Sequence, residues 1–416
     1  MLIDFSVSNY KSIKDEIVLS MVADHGKEHR ESHVVTPTLS SGARSTPLLR
    51  SAVIYGPNAA GKTNLMNALR AFRNIVSRSA RGLDELPVTP FRFDQATEGK
   101  PTALEATFIS DGVRYQYGFE ATNKAIVREW LFAWPRGRVQ MWFERGPEIE
   151  GGFRFGHKLT GDREVWRRAT RDDALLLSTA ASLNSKQLQP VFDWFSRRLR
   201  VAGIHGWNNS FSVECCRDER KDRILRFLRT ADLAIADVRL AEDDEAGGVE
   251  DADKDSRTKT LPVPQLLHEL PDGISAELDL EEESRGTRKI FSLAGPWLDT
   301  LENGYVVVFD EMHGYLHPAL VKFLVERFHD PRINRNGAQL IFTTHETAIL
   351  SQDIFRRDQV WFCKRNDRQE TTIYPLTDFH PRKGSENLER AYLAGRYGAV
   401  PFLQPELLVA SDSNGP

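Results

Sequence analysis

A chain of 416 residues carries 55 Lys and Arg against 59 Asp and Glu, for a formal net charge of −4, and 40% of it is hydrophobic. That length buries a large core across roughly two or three subdomains. The near-neutral balance gives no global electrostatic case for nucleic acid, and only a local basic patch would supply one. Three cysteines, Cys215, Cys216 and Cys363, have neither metal-ligand spacing nor the pattern of a disulfide framework, so a reducing cytoplasm is the expected compartment. No signal-peptide core opens the chain and no apolar run approaches a membrane span, so no membrane partner is expected.

In chain order, residues 2–8 alternate as a short strand, and Glu16–Met21 form a second apolar run. Residues 23–47 are polar and carry His25, His29 and His33 at four-residue spacing. They read as a solvated loop with scattered histidines, a metal-binding helical face being the alternative. Ser51–Tyr55 is an apolar strand, and Leu65, Leu69, Phe72 and Val76 then recur at helical spacing. Arg70, Arg73, Arg78 and Arg81 decorate that helix and read as a solvated face, with DNA contact the alternative. Leu104–Ile109, Val113–Glu120, Ile126–Trp134 and Val139–Phe143 are strand runs separated by turn signals, which predicts an antiparallel meander.

Residues 160–235 read as helical, with Ala174–Leu177, then Val191, Trp194, Phe195 and Leu199, then Ile224, Leu225 and Leu228 as buried faces. The acidic, glycine-containing run from Glu242 to Asp255 reads as a surface loop without fixed structure. From Leu278 onward strand and helix alternate. The strands are Tyr305–Phe309, Leu340–Thr343, Val360–Cys363 and Thr372–Tyr374; the helices are Arg288–Leu301, Ala319–Phe328 and Glu386–Ala394. That alternation predicts an α/β arrangement with a parallel sheet. The expected division is an N-terminal lobe 1–155, a helical insertion 156–275 with the acidic loop, a C-terminal lobe 276–409 and a tail 410–416.

Between the strand Ser51–Tyr55 and its helix lies Gly56-Pro-Asn-Ala-Ala-Gly-Lys-Thr63, which fits the phosphate-loop pattern G-x-x-x-x-G-K-[ST]. Such a loop turns successive N–H groups around a phosphate, with Lys62 reaching the outer phosphates and the Thr63 hydroxyl on Mg²⁺. A buried strand ending in Asp310 and Glu311 would place the first carboxylate on the Mg²⁺ shell and use the second as general base. His345, after Thr343 and Thr344 at another strand end, would contact the γ-phosphate or the attacking water. Glu283-Ser-Arg-Gly-Thr287 begins a helix and supports two readings, an ordinary N-cap or a second anion-binding helix start. One chain does not readily fold two such starts onto one γ-phosphate, whereas two chains head to tail can.

The set resembles an ABC-type ATPase. Gly56–Thr63, Asn58 included, looks like a Walker A loop, Val306–Glu311 like a Walker B strand with its catalytic glutamate, and His345 like the switch histidine. Ser284-Arg285-Gly286-Thr287 looks like a diverged signature motif, lacking the LSGGQ spelling. Asn9-Tyr10-Lys11-Ser12-Ile13 is similar to the start of SMC, RecF and OLD-type heads. Three further segments, Asp310–Pro318, Thr343–Thr347 and Tyr392–Pro401, are similar to stand-alone bacterial ATPases of RloA and abortive-infection type, relatives of the PARIS ATPase subunit. Gln95 and Gln187 are the candidates for a Q-loop glutamine, and neither is assigned.

The resemblance implies an α/β ABC-type P-loop head with an antiparallel β subdomain and a helical insertion, using ATP and Mg²⁺. It implies a homodimer in which Ser284 and Gly286 of one chain close over the γ-phosphate held by the other. It also implies a sensor or regulator role in antiphage defence, gating a separate nuclease or other effector. Nucleic acid stays open as a partner, and a RecF- or SMC-like DNA-binding head in repair is the competing class. A scaffold that binds ATP and scarcely hydrolyses it is the third.

Overall fold

The computed structural model describes residues 1–202, 207–231, 233–241, 262–269, 272–382, 384 and 386–401. Its centre is a six-stranded sheet in the order Leu199–Val201, Val306–Phe309, Gln339–Thr343, Ser51–Tyr55, Val360–Arg365 and Thr371–Pro375. The first five strands are mutually parallel, and Thr371–Pro375 closes one edge antiparallel. Every residue of Ser51–Tyr55, Val306–Phe309 and Gln339–Thr343 is buried, as parallel strands covered on both faces require.

Successive side chains of these strands enter opposite cores. Ala52, Ile54, Val306, Val308 and Ile341 face one core; Val53, Tyr55, Val307, Phe309, Leu340 and Phe342 face the other. The first core is shared with a seven-stranded antiparallel sheet. In that sheet Leu2–Ser8 pairs with Thr102–Ser110, and Val113–Ala121, Ile126–Ala133, Gln140–Arg145 and Phe153–Phe155 follow as a meander. The helix Lys62–Arg78 lies between the two sheets. Phe72, fully buried, meets the rings of Phe5, Tyr117, Phe119 and Phe195 at 4.6–6.2 Å between centroids. The helix that begins in the phosphate loop is therefore wedged on one face by aromatic packing, of a kind whose truncation to alanine costs about 3–5 kcal/mol.

The insertion begins with short helices, Arg163–Ala169, Leu176–Ser182 and Gln189–Asp193, then Ser210–Cys215 and Lys221–Thr230. Leu176–Ser182 is docked by a buried acid. Glu129 accepts hydrogen bonds from the Leu176 N–H (2.7 Å), the Leu177 N–H (3.0 Å) and the Tyr117 hydroxyl (2.9 Å). Burial pushes the Glu129 pKa up while Arg145 opposes the shift.

The α/β architecture, with its antiparallel subdomain and helices in the insertion, is as the sequence indicates, but several local expectations need correction. Leu199 is not on a helix; it opens the three-residue strand that pairs with Val306–Val308. The far end of the insertion is not helical, because Ile235–Ala241, Val263–Glu269 and Ser275–Asp279 form an antiparallel three-stranded sheet. Pro264 and the exposed face of Ser275–Asp279 weaken the alternation that would announce these strands.

His33 is not solvated. It is buried, its Nε2 lies 3.0 Å from the Ile354 carbonyl, and its ring stacks on His329 at 3.7 Å. Arg70 and Arg73 are likewise half-buried, donating to the carbonyls of Ala202 and Ser196, whereas Arg78 and Arg81 are exposed. The acidic run Glu242–Asp255 and the tail 410–416 lie outside the described residues. Among the described residues no helix is long and apolar enough to cross a membrane.

Candidate functional site

The phosphate loop leaves the C-terminal end of Ser51–Tyr55 under close cover from Val360–Arg365 and Thr371–Pro375. A Cβ at Gly56 would lie 2.2 Å from the Cys363 carbonyl oxygen, and one at Gly61 (φ +109°) would lie 2.0 Å from Thr371 Oγ1. Only glycine fits either position. Behind the loop, Thr371 Oγ1 donates to the Ala60 carbonyl (2.9 Å) and lies 2.8 Å from Ser12 Oγ, which also accepts from Asn64 Nδ2 (2.7 Å). The Asn9–Ile13 motif is thus a brace for the loop. Asn9 itself bonds the segment 91–101 through both ends of its amide.

Asn58 is exposed at the loop tip, beside Ala59 in a left-handed conformation (φ +61°). Lys62 is buried, and its ammonium donates to the loop's own carbonyls at Gly56 (2.7 Å) and Pro57 (2.9 Å). Burial lowers its pKa, and the carboxylates of Glu311 and Asp310 act in the opposite sense. Thr63 is half-buried in the first turn of the helix.

Two neighbouring strand ends deliver the acids. Asp310 follows Val306–Phe309 and is buried at 3% exposure, its Oδ1 accepting from Thr343 Oγ1 at 2.7 Å. The same Thr343 hydroxyl accepts the Glu311 N–H at 2.8 Å. Asp310 Oδ2 is buried and has no hydrogen-bond partner among the described residues. An orphaned carboxylate oxygen in a dry site is costly, and hydrated Mg²⁺, a hard cation that prefers oxygen, is the kind of group it fits. Asp310 and Thr63 are the residues that could hold it.

Glu311 adopts a left-handed backbone (φ +51°), and one carboxylate oxygen lies 3.9 Å from His345 Nε2. Burial lowers the His345 pKa, with Lys62 and His313 adding to the shift and Glu311 and Asp310 opposing it. His313 sits edge-on to His345 at 5.6 Å, with Nδ1 3.1 Å from Thr344 Oγ1. Thr343 and His313 are the site residues that sequence reasoning missed. The only signal was position, since one ends the strand before His345 and the other lies two residues past Glu311.

Lys62, Asp310, Glu311 and His345 are therefore gathered at one edge of the central sheet. Ser284 and Gly286 lie beside the turn that follows Glu311. Ser284 caps the helix Arg285–Asn303, its Oγ accepting the Thr287 N–H at 3.1 Å, so the N-cap reading holds. A Cβ at Gly286 would lie 3.0 Å from the Tyr315 carbonyl oxygen. The Arg285 guanidinium lies over the exposed Tyr315 ring at 5.2 Å. Between helix and turn is an open cavity of about 690 Å³ lined by Asn209, Arg285, Arg288, Lys289, Glu311 and Tyr315. Gln187 spends both ends of its amide on Thr160 and Lys158, and Gln95 is exposed.

Three solved structures resemble the chain at low identity. The SMC head bound to the C-winged helix domain of ScpA is 11% identical with a TM-score of 0.40, over 90% of this chain and 97% of that one. The SMC head domain from Thermotoga maritima is 10% identical with a TM-score of 0.39, over 90% and 98%. An SMC head with an extended coiled coil, bound to the C-terminal domain of ScpA from Pyrococcus furiosus, is 10% identical with a TM-score of 0.38, over 95% and 98%. No curated protein matches the chain in sequence. The family model described as "AAA domain, putative AbiEii toxin, Type IV TA system" matches residues 51–351, a span that contains the phosphate loop, Asp310, Glu311 and His345. The chain belongs to that family of P-loop ATPases.

Proposed function

We propose that the chain binds Mg-ATP and hydrolyses it to ADP and phosphate, in a homodimer that ATP closes, and that this cycle controls a separate effector in antiphage defence. The observation that carries the reading is the buried, unpartnered Asp310 oxygen, set on one sheet edge with Lys62, Glu311 and His345.

In this mechanism the Gly56–Gly61 backbone and Lys62 bind the phosphates, Lys62 exchanging its two loop carbonyls for phosphate oxygens. Thr63 and Asp310 would hold Mg²⁺, which would supply positive charge to offset that of the transferred phosphoryl group. Glu311 takes a proton from a water as that water's oxygen bonds to the γ-phosphorus and the bond to the β–γ bridging oxygen breaks. His345 donates a hydrogen bond to the γ-phosphate. The exposed helix start at Ser284 and Gly286 binds the γ-phosphate of the facing chain. Closure and opening then present different surfaces, and an effector is shifted by as much as its affinities for the two forms differ. The family description, naming a toxin of a toxin–antitoxin system, supports the defence role.

The test joins three measurements on purified chain: phosphate release from Mg-ATP, sedimentation of Glu311→Gln with and without Ser284→Arg, and incubation with DNA and RNA in Mg²⁺ or Mn²⁺. Turnover, an ATP-dependent dimer lost in Ser284→Arg, and intact nucleic acid are expected. Unchanged turnover in Ser284→Arg with Glu311 intact contradicts the composite site. Cleavage abolished by mutating this chain's own acids contradicts a separate effector, and partner-free, ATP-dependent duplex binding favours the repair class.

A further inference from the structure

The turn that carries Glu311 is held in an unusual backbone conformation at two positions. Glu311 (φ +51°) and Tyr315 (φ +63°) both occupy the left-handed region, which residues bearing a Cβ rarely adopt unless their surroundings hold them there. Little else fixes the Glu311 carboxylate, whose side chain is 43% exposed and has one oxygen 3.9 Å from His345 Nε2. Where that carboxylate points is set by its backbone. Two groups grip this backbone from outside the turn. One is Thr343, which accepts the Glu311 N–H at 2.8 Å and whose carbonyl accepts the Met312 N–H at 3.1 Å.

The other is Lys289, five residues past Ser284 on the helix Arg285–Asn303. Its ammonium reaches the carbonyls of Gly314 (2.7 Å), Met312 (3.0 Å) and Glu311 (3.5 Å). An ammonium has three protons, and here three carbonyls of one turn share them. Among the described residues no carboxylate forms an ion pair with Lys289, so these contacts are to backbone alone.

We infer that Lys289 is a positioning residue for hydrolysis, locking the left-handed turn that aims Glu311 and tying that turn to the helix capped by Ser284. The inference rests on the proposed role of Glu311 as general base. In this role Lys289 acts through Glu311. Lys289 lies about one turn inside the Ser284 helix, so it joins a shift of that helix start to the turn of the general base, beside the Arg285–Tyr315 contact.

The test is a double-mutant cycle at saturating Mg-ATP, with Lys289→Met, Lys289→Arg, Glu311→Gln and Lys289→Met/Glu311→Gln, measuring kcat, nucleotide affinity and melting temperature. Lys289→Met is expected to lower kcat on the order of 10–100-fold, the effect of a misaimed catalytic group, with affinity held within about threefold. Lys289→Arg, which still donates to carbonyls, recovers part of the loss. In the Glu311→Gln background, Lys289→Met adds less than about twofold, because a residue acting through Glu311 has nothing left to aim. Three results each overturn the inference: kcat near wild type in Lys289→Met, a full additional loss in the double mutant, or parallel falls in kcat, affinity and melting temperature. Near-normal turnover in Glu311→Gln alone instead overturns the general-base assignment, and the inference falls with it.

Discussion

The two ends of the same central strands are built on opposite principles. At their N-terminal ends lie buried polar side chains whose amides are fully engaged. Gln339 accepts from the Leu2 N–H (2.6 Å) and donates to the carbonyls of Leu2 and Leu49 (3.0 Å each). Gln359 accepts the Arg356 N–H (2.8 Å) and donates to Ser51, whose hydroxyl lies 2.8 Å from His329. At the C-terminal ends, Asp310 keeps an unpaired oxygen, Glu311 is left-handed, and Lys62 turns back on its own loop. One end engages its buried amides on both sides; the other keeps an unpaired carboxylate oxygen and left-handed backbone, the pattern of a functional site. A fold that keeps an unsatisfied edge needs its opposite edge over-determined.

The largest expected effect is at the strained edge. Lys62→Ala should weaken nucleotide binding by about 100-fold or more, the value of two charge-assisted bonds at about 1.5–3 kcal/mol each. It should leave the melting temperature nearly unchanged, and equilibrium binding of a fluorescent ATP analogue checks it.

The contrast is sharpened by a matched pair. Gln339→Leu strands three backbone groups and should destabilise the chain by about 3 kcal/mol or more in chemical denaturation. Asp310→Asn keeps the Thr343 bond and removes a buried charge, so it should hold or raise the melting temperature while Mg²⁺-dependent nucleotide binding falls. If Asp310→Asn unfolds the protein and Gln339→Leu does not, the comparison is wrong.

A third prediction uses acid. Burial holds His33 down to about 4 and His329 well below the ordinary imidazole value of 6.5, so the unfolded chain binds more protons between those limits. Stability is therefore complete above about pH 6.5 and is lost as pH falls toward 4, by roughly 3 kcal/mol for His33. Melting temperatures from pH 7.5 to 4.5 should drop less steeply in His33→Gln than in wild type. The smallest effect is Ser284→Ala, which removes an N-cap worth about 1 kcal/mol.

What the sequence disclosed follows from how local each signal was. Gly56–Thr63, Asp310 and Glu311 lie within short runs whose spacing reports geometry directly, and strands buried on both faces read as continuous apolar stretches. The brace made by Ser12, Asn64 and Thr371 spans the chain from its start to its last strand, and no local pattern announces it. Thr343 was read only as a strand end two residues before His345, although its hydroxyl joins both acids. Leu199–Val201 is three residues long and follows a helical turn, so its periodicity merged with the helix. His33 looked solvated in a polar segment because burial came from Ile354 and His329, about 300 residues away.

Glu311→Gln bears most directly on the claim that the strained edge is an ATP-hydrolysing centre. Nucleotide affinity and phosphate release would be measured on the same preparation. Affinity close to wild type, with release slowed by about 10²–10⁴-fold, is the predicted result for loss of a general base. Phosphate release near the wild-type rate in that variant would contradict the account.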